Sequence, residues 1–355
     1  MRNDGSHVSA AVRAAARAVR ATSLVAAGAA LLATGARPAA AQPARAASGG
    51  GRLLVVTSEA SHDVTLVSLP DRRVVARVPM GERPRGVHPS PDGRRVYVAL
   101  SDAVATRQTG RDVVAVLDVA TRRVIARYPA GTDPEQFAVT PDGRRLYAAN
   151  EDAGLASAVD LRTGKVVAEL VVGIEPEGVA ISPDGRWVYV TAETSNTVSV
   201  IDTRTEKVVA SFLVDARPRG VAFAPDGRTA YVTAELGGTV SVIDVARHAV
   251  TATIPLDEDG EAKPVGVVVA PDGRRVYVAN GHLNSVSVLD ARTRTVLRQV
   301  PVGRRPWGVA LSPDGRLLYT ANGLSNDVSV IDTRTLRVVA TIAVAGRPWG
   351  VAVVP

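Results

Sequence analysis

The chain alternates apolar and polar residues in short runs, and these runs recur in a fixed order. In residues 178–220, an apolar run begins at Gly178 and ends at a Pro-Asp-Gly turn, and a β-branched and aromatic run follows at 187–191. A polar loop separates it from an alternating run at 198–202, and a further run covers 207–214. An Asp-Gly pair between apolar runs favours a hairpin, because glycine accepts a positive φ. Period-two alternation is typical of strands, so the unit is predicted to contain four antiparallel strands.

The unit recurs seven times along the chain. Its Pro-Asp-Gly turns begin at Pro91, Pro141, Pro183, Pro225, Pro271 and Pro313. A period near 42 residues that contains only strand-like runs predicts an all-β, seven-bladed β-propeller of four-stranded antiparallel blades. The series of repeats begins with a second strand at 54–57 and ends with a first strand at 350–354. We therefore expect the C-terminal strand to join the N-terminal blade and close the ring, which removes an exposed sheet edge.

The N-terminal segment lacks this pattern. Residues 1–41 carry several arginines ahead of a mostly apolar run at 21–33, and small residues end the segment at Ala41. This order is typical of a cleaved secretory signal; an organellar transit peptide is the alternative, because the segment is rich in arginine and poor in acid. The apolar run is too short to span a bilayer. Residues 42–52 are expected to form a flexible leader and 53–355 the propeller, in a periplasmic or secreted protein without a transmembrane segment.

The amino-acid composition excludes several kinds of site. The chain has no cysteine, which excludes c-type haem attachment, disulfides and thiolate metal sites. Its net charge is +7, of which residues 1–41 contribute +4, so +3 remains for the rest of the chain. Many of the remaining arginines follow the Pro-Asp-Gly turns or the third strands, and both turns lie on one face of the disc, here called the lower face. A solvated rim is the expected role of these arginines and docking to an acidic partner is the alternative.

The opposite, upper face carries the residues that vary most between repeats. Each repeat has an x-Pro-x-Gly loop leading into its first strand, where the fold needs only proline and glycine. The variable residues are, in order, Arg83 and Arg85, Asp133 and Glu135, Glu175 and Glu177, Arg217 and Arg219, Lys263 and Val265, Arg305 and Trp307, and Arg347 and Trp349. The loops between second and third strands add Glu59, Glu151, Glu193 and Glu235. Clustered charge beside two tryptophans predicts a ligand- or partner-binding face, with surface salt bridges around the channel as the alternative.

Catalytic and metal motifs are not found. Two insertions, 102–111 and the acidic 256–262, extend loops of the upper face, and the acidic one lacks the ligand spacing of an EF-hand. No pair of histidines has metal-ligand spacing, and no nucleophile elbow or phosphate loop occurs. An enzyme would have to use Glu135, Glu177 and Arg219 of the upper face with His88 of a first strand. No catalytic residue, metal or cofactor is therefore predicted.

Several segments carry a resemblance to a known family. They are GERPRGVHPSPDG at 81–93, TDPEQFAVTPDGRRLYAANED at 132–152, GIEPEGVAISPDGRWVYVTAETSN at 173–196, DARPRGVAFAPDGRTAYVTAELGGTVSVID at 215–244, KPVGVVVAPDG at 263–273 and NGLSNDVSVIDTRTLRVVATIAVAGRPWGVAV at 322–353. The repeat resembles the YVTN family of β-propellers, and the order of its loops resembles the seven-repeat propellers associated with PQQ-dependent alcohol catabolism. The resemblance implies an exported accessory protein found beside quinoprotein dehydrogenases and c-type cytochromes, and it does not imply that this chain binds PQQ. The loop 102–111 is longer than the family pattern.

Three functions remain open. The first is a monomeric, non-catalytic scaffold whose upper face holds a periplasmic quinoprotein dehydrogenase, a c-type cytochrome or a small ligand. The second is a lactonase-like hydrolase, because seven-bladed lactonases share the architecture and a fold does not fix a function. The third is binding to nucleic acid or the cell envelope through basic turns, although nucleic acid is not expected as a partner; such binding would weaken steeply with salt.

Overall fold

The computed structural model describes residues 53–102 and 112–354, which form seven four-stranded antiparallel sheets. The expected signal peptide, the leader and most of the 102–111 insertion lie outside the described residues. Within the described ranges, we find no helix with the length and apolar character needed to cross a membrane. The predicted all-β propeller with seven four-stranded blades is confirmed.

The strands follow the chain from blade to blade. Blade 1 holds β1 (Leu53–Ser58), β2 (Asp63–Ser68) and β3 (Arg73–Pro79), and blade 2 holds β4 (Pro84–Pro89), β5 (Arg95–Leu100), β6 (Val113–Asp118) and β7 (Arg123–Pro129). Blade 3 holds β8 (Pro134–Val139), β9 (Arg145–Asn150), β10 (Leu155–Asp160) and β11 (Lys165–Val171), with a single 3-10 turn at Glu151–Ala153. Blade 4 holds β12 (Pro176–Ile181), β13 (Trp187–Ala192), β14 (Thr197–Asp202) and β15 (Lys207–Leu213).

The remaining blades keep the same order. Blade 5 holds β16 (Pro218–Phe223), β17 (Thr229–Ala234), β18 (Thr239–Asp244) and β19 (Ala249–Pro255), and blade 6 holds β20 (Pro264–Val269), β21 (Arg275–Asn280), β22 (Ser285–Asp290) and β23 (Thr295–Pro301). Blade 7 holds β24 (Pro306–Leu311), β25 (Leu317–Asn322), β26 (Asp327–Asp332) and β27 (Arg337–Ala343). The last strand, β28 (Pro348–Val354), returns to blade 1.

Ring closure takes the predicted form. Strand β28 pairs antiparallel with β1, and Val351 lies opposite Val56 in the register. Val351 packs in one buried cluster with blade 7 residues, whereas Val354 packs in the cluster shared with blade 2. The C-terminal strand therefore completes blade 1 and also contributes to the packing on both of its sides.

The core is divided among the interfaces between neighbouring blades. Tyr189 of β13, for example, packs in one buried cluster with Val232 and Ile243 of blade 5. The hydroxyl group of Tyr189 lies 2.8 Å from Nδ1 of His248, which belongs to the last turn of blade 5. Each sheet is thus covered on both faces by its neighbours, which explains why second and third strands are buried at nearly every position, including their serines and threonines.

Deletion of residues 350–355 tests the closure. Burial of a valine side chain contributes about 1.5–3 kcal/mol, and the deletion removes the buried Val351 and Val354 together with part of the partner strand of β1. We expect thermal denaturation to show a melting temperature lower by more than about 5 °C. The control Val339→Ala lies half-exposed on β27 and should change stability by less than about 0.5 kcal/mol. An unchanged melting temperature in the truncated protein would contradict this closure.

Candidate functional site

The x-Pro-x-Gly loops hold their variable side chains at the mouth of a central channel, because each glycine lies against the next blade. A Cβ atom on Gly178 would lie 1.9 Å from the carbonyl oxygen of Arg219, and one on Gly220 would lie 2.4 Å from that of Val265. The hydroxyl group of Thr191 donates to the Arg219 carbonyl at 2.8 Å and accepts the Gly178 N–H at 2.8 Å. A larger residue would clash at these positions, so the residue before each glycine is fixed at the mouth.

The first variable residue of each loop adopts a left-handed backbone conformation, which residues other than glycine rarely adopt. Positive φ values between 40° and 58° occur at Arg83, Asp133, Glu175, Arg217, Lys263, Arg305 and Arg347. In several blades an asparagine of the preceding loop holds this conformation. Asn196 Oδ1 accepts the N–H of Arg217 at 2.8 Å, and Asn326 Oδ1 accepts that of Arg347 at 2.9 Å. These asparagines are therefore structural, because they hold the backbone of the loop at the start of each first strand.

A first group of charges joins blades 1 to 3. This blade 1–3 cluster contains Arg83, Arg85, Glu59, Asp133, Glu135 and Glu151. Arg85 Nη2 lies 3.2 Å from Glu59, and its guanidinium also contacts the buried Glu135. Arg83 Nη1 lies 3.4 Å from the buried Asp133. With four carboxylates to two guanidiniums, this side of the mouth has an excess of acidic groups.

A second group of charges joins blades 4, 5 and 7. This blade 4–7 cluster contains Glu177, Glu193, Arg217, Arg219, Glu235 and Arg305. Arg219 is only 8 % exposed; its Nη1 lies 2.7 Å from Glu177 Oε2 and also contacts Glu193. Arg305 Nη2 lies 3.4 Å from Glu235 Oε1. Most of the predicted site residues are thus paired with one another, and several are buried rather than presented to solvent.

The carboxyl groups of Glu177 and Glu193 titrate in opposite directions. Burial raises the pKa of Glu177 well above its ordinary value, and the neighbouring Arg219 offsets this only in part. Burial also acts on Glu193, but a hydrogen bond with Glu177 and the guanidinium of Arg219 outweigh it and lower the Glu193 pKa. Ionising both of two carboxyl groups that share a hydrogen bond costs free energy, because the two negative charges repel each other. Glu177 is therefore the member of the pair that holds its proton to the higher pH.

One set of carboxylates has a geometry suited to a cation. Ligand oxygens of Asp133, Glu135 and Glu151 lie within 4.8 Å of one another. Burial and the charge of Asp133 raise the pKa of Glu151, as expected for crowded carboxylates. Arg83 and Arg85 already neutralise part of this charge. A divalent cation would have to compete with these two guanidiniums, and the spacing of the carboxylates along the sequence does not reveal their proximity.

A small cavity lies beside the blade 4–7 cluster. The rings of Trp307 and Trp349 stack at 6.2 Å with 20° between their planes, and the guanidinium of Arg305 lies 4.6 Å from the Trp307 ring. The cavity measures about 40 Å³. Its lining side chains are Gln136, Glu177, Arg219, Val265, Trp307 and Trp349. We call it the tryptophan cavity.

Sequence reasoning missed Gln136. This residue replaces the glycine of the x-Pro-x-Gly loop in blade 3, and that break in the repeat is the signal that could have found it. Its side-chain oxygen would lie 2.9 Å from a Cβ on Gly86. Gln136 lines both the tryptophan cavity and the central channel below it.

The central channel has a volume of about 600 Å³ and is lined by the first strands of the blades. His88 lines this channel rather than the tryptophan cavity, with its ring centroid 6.4 Å from that of Phe137. Burial lowers the pKa of His88, and its Nδ1 lies 2.8 Å from the carbonyl oxygen of Pro89. The tryptophan cavity therefore brings together Glu177 and Arg219 of the residues an enzyme would need, without His88.

The other predicted residues lie at the periphery. Lys263 Nζ donates to the carbonyl oxygen of Gly260 at 3.1 Å, and Arg347 is exposed. Glu175 is also exposed and accepts a hydrogen bond from Thr194. In the acidic insertion, Asp257 accepts backbone N–H groups of its own loop at 2.8 and 3.1 Å, which indicates a structural role.

Two family models match different, overlapping parts of the chain. Residues 205–338 match the family model of the seven-bladed β-propeller lactonases, and residues 100–218 match that of the cytochrome D1 heme domain. The protein is a seven-bladed β-propeller, and each family model matches only part of it. No curated protein matches the sequence.

Solved structures share the propeller fold. Hydrazine synthase from Kuenenia stuttgartiensis is 26 % identical, with a TM-score of 0.71 over 79 % of this chain and 92 % of that one. An inferred 6-phosphogluconolactonase from Bacteroides uniformis is 19 % identical, with a TM-score of 0.72 over 86 % of this chain and 100 % of that one. Dihydro-heme d1 dehydrogenase NirN in complex with DHE is 20 % identical, with a TM-score of 0.62 over 84 % of this chain and 74 % of that one. The last two likenesses concern the fold alone.

The protonation of Glu177 predicts a pH-dependent stability. Its pKa is higher in the folded than in the unfolded chain, so the folded state binds more protons above the ordinary value of 4.5. This contribution to stability is full below pH 4.5 and is lost as the pH rises toward the folded pKa, by up to about 1.4 kcal/mol per pH unit. Glu177→Gln removes that titration. In urea unfolding from pH 4.5 to 8, the variant should gain stability relative to wild type as the pH rises; a difference independent of pH would contradict the assignment.

Proposed function

We propose that the protein is an exported, non-catalytic docking protein of periplasmic quinoprotein-linked alcohol oxidation, and that its upper face binds a c-type cytochrome. Three observations support the proposal. The repeats resemble propellers associated with PQQ-dependent catabolism, and residues 100–218 match the family model of the cytochrome D1 heme domain. The third observation is a feature of the upper face. That feature is a row of exposed apolar side chains.

The row follows four successive blades around the mouth. Ile174 precedes the first strand of blade 4, and Leu236, Leu283 and Leu324 lie in the loops between second and third strands of blades 5, 6 and 7. Their exposed fractions are 61, 57, 37 and 52 %. We call these residues the apolar row. Apolar side chains that recur at neighbouring positions of one face are candidates for a partner contact.

The charges around the apolar row favour docking over catalysis. The arginines and glutamates of the mouth are largely committed to the two clusters, so they stabilise the ring instead of facing a substrate. Arg304 and Arg347 remain exposed; Arg304 donates to the Leu324 carbonyl oxygen, and the Arg347 N–H donates to Asn326 of the same loop. An apolar row with a basic flank suits a partner whose docking patch is apolar with an acidic edge.

The test is capture of a haem protein by the purified, secreted protein. Leu236→Asp with Leu324→Asp places charges in the apolar row and should weaken binding of a c-type cytochrome at least about tenfold. The matched control is Val167→Asp with Val209→Asp, since these exposed valines lie on the outer strands β11 and β15. Periplasmic extract is passed over each immobilised protein, the bound cytochrome is detected by haem staining, and its affinity is then measured after purification.

The outcomes separate the partner classes. Capture of a haem-stained protein by wild type and by the control, but not by the apolar-row variant, would support the proposal. If the wild type captures a quinoprotein dehydrogenase and no haem-stained protein, the partner is the dehydrogenase of the same pathway and not the cytochrome. Equal capture by both variants, or no haem protein in any of them, would remove the apolar row as a cytochrome dock.

Lactone hydrolysis is a second candidate, and Glu177 is the observation that favours it. A buried carboxyl group with a raised pKa beside an arginine is suited to general-acid catalysis. The match of residues 205–338 to the lactonase family model points in the same direction. A titrimetric assay with 6-phosphogluconolactone distinguishes the candidates. Turnover that falls at least about 100-fold in Glu177→Gln would favour hydrolysis, and no turnover above the uncatalysed rate would remove it.

A further inference from the structure

The first strands that line the central channel depart from the repeat in two neighbouring blades. The other five blades read Gly-Val followed by Ala or Val in the middle of the first strand. Blade 2 has His88 in place of the third residue, and blade 3 has Gln136 and Phe137 in place of the first two. The fold needs none of these changes, because five blades form the same strand without them. They make one wall of the channel different from the rest.

Phe137 positions the ring of His88. The Phe137 side chain is only 3 % exposed and packs in the buried cluster between blades 2 and 3. Its ring centroid lies 6.4 Å from that of His88, with 52° between the two planes. Tilted pairs at this separation attract each other. The imidazole is therefore held by a packed neighbour at the wall of the channel that it lines.

The hydrogen bonds of His88 leave one acceptor for the channel. Nδ1 lies 2.8 Å from the carbonyl oxygen of Pro89, and a carbonyl oxygen can only accept, so Nδ1 carries the proton of the neutral ring. Nε2 is then an acceptor, and it has no partner within residues 53–102 and 112–354. Nε2 is also not a buried orphan atom, so it is accessible from the channel. A guest that meets His88 has to bring a hydrogen-bond donor.

The rest of the wall is uncharged and mostly aliphatic. In the described part of the chain, His88 is the only titratable residue that lines the channel, and Gln136 supplies a neutral amide at the upper end. Ser182 and Ser312 also line it, but their hydroxyl groups bond to the aspartates of their own Pro-Asp-Gly turns. Valine, alanine, isoleucine and leucine form most of the remaining surface. Such a wall favours an apolar, uncharged body for the guest.

The shape of the channel favours an elongated guest. Its volume of about 600 Å³ lies in the range of small-molecule sites. The first strands are mostly six residues long, which corresponds to about 20 Å. The mean cross-section is therefore only about 30 Å². A single extended hydrocarbon chain fits such a passage better than a bulky ring system.

We infer that the central channel binds a neutral aliphatic alcohol, whose hydroxyl group donates to Nε2 of His88 and whose chain lies along the aliphatic walls. This site goes beyond the docking role and does not depend on it, because the channel lies below the mouth and contains no residue of the apolar row. Loss of cytochrome binding would therefore leave the alcohol site intact.

Isothermal titration of the purified, secreted protein with 1-hexanol tests the site at pH 8, where histidine is neutral. The matched ligand is 1-methoxypentane, an isomer that has an ether oxygen and no O–H group. Hexanoate adds a charge to a chain of the same length. We expect saturable binding of one hexanol molecule, an affinity for the ether at least about fivefold weaker because the donor is lost, and no saturable binding of hexanoate.

Variants locate the hydroxyl group and the chain. His88→Ala restores the residue of the repeat and should make hexanol and the ether bind equally. The control His282→Ala removes an exposed histidine of the upper face and should leave both affinities unchanged. Ala180→Leu narrows the channel in blade 4 without touching His88, so it should weaken both ligands at least about tenfold. An unchanged melting temperature in each variant excludes loss of the fold as the cause.

Three results would overturn the site. Absence of saturable hexanol binding would mean that the channel holds only water. Equal affinities of hexanol and the ether for the wild-type protein would mean that His88 accepts no hydrogen bond from a guest. Hexanol binding that neither His88→Ala nor Ala180→Leu changes would place the alcohol outside the channel.

Discussion

The packing of one first strand against the next is the constraint on which the rest of this propeller depends. A Cβ atom on Gly308 would lie 2.7 Å from the carbonyl oxygen of Trp349, and one on Gly350 would lie 2.5 Å from that of Arg85. The first strands can approach this closely only because six of the seven loops carry glycine at this position. The narrow mouth that results forces the residues before the glycines into contact. Any charged residue there has to find its partner inside the ring.

In the two charge clusters, the charged side chains that the narrow mouth brings together form ion pairs. Ionised groups buried in a protein cost several kcal/mol each unless they are paired and hydrogen-bonded. Arg219 meets three carboxyl groups from two blades, and Glu177 avoids part of the cost by holding its proton to a higher pH. Loss of one partner would leave another charge buried and unpaired, so the order of charged loops is fixed by their neighbours. What remains for recognition is the apolar row on the rim and the central channel below the mouth.

The repeat predicts the fold almost completely, because each strand pairs with its neighbour in sequence and the period-two pattern specifies every sheet. Closure by β28 is also predictable, since the chain begins and ends at complementary strands of one blade. The geometry of the site is harder to predict from the sequence. The positions of Glu177 and Arg219 on the upper face follow from the loop pattern, but their mutual burial depends on the width of the mouth. Gln136 and the proximity of Asp133 to Glu151 depend on contacts between loops that no periodicity encodes.

A double-mutant cycle between Glu193 and Arg219 tests the central claim most directly. The cycle uses Glu193→Gln, Arg219→Met and the double variant, with unfolding free energies measured in urea. Pairing within the mouth predicts a coupling energy of about 1–3 kcal/mol, whereas the exposed pair of Asp244 and Arg247 should give less than about 0.5 kcal/mol in the same measurement. A coupling for Glu193 and Arg219 as small as that of the exposed pair would contradict the account, because the mouth would then be an open, solvated ring of independent charges.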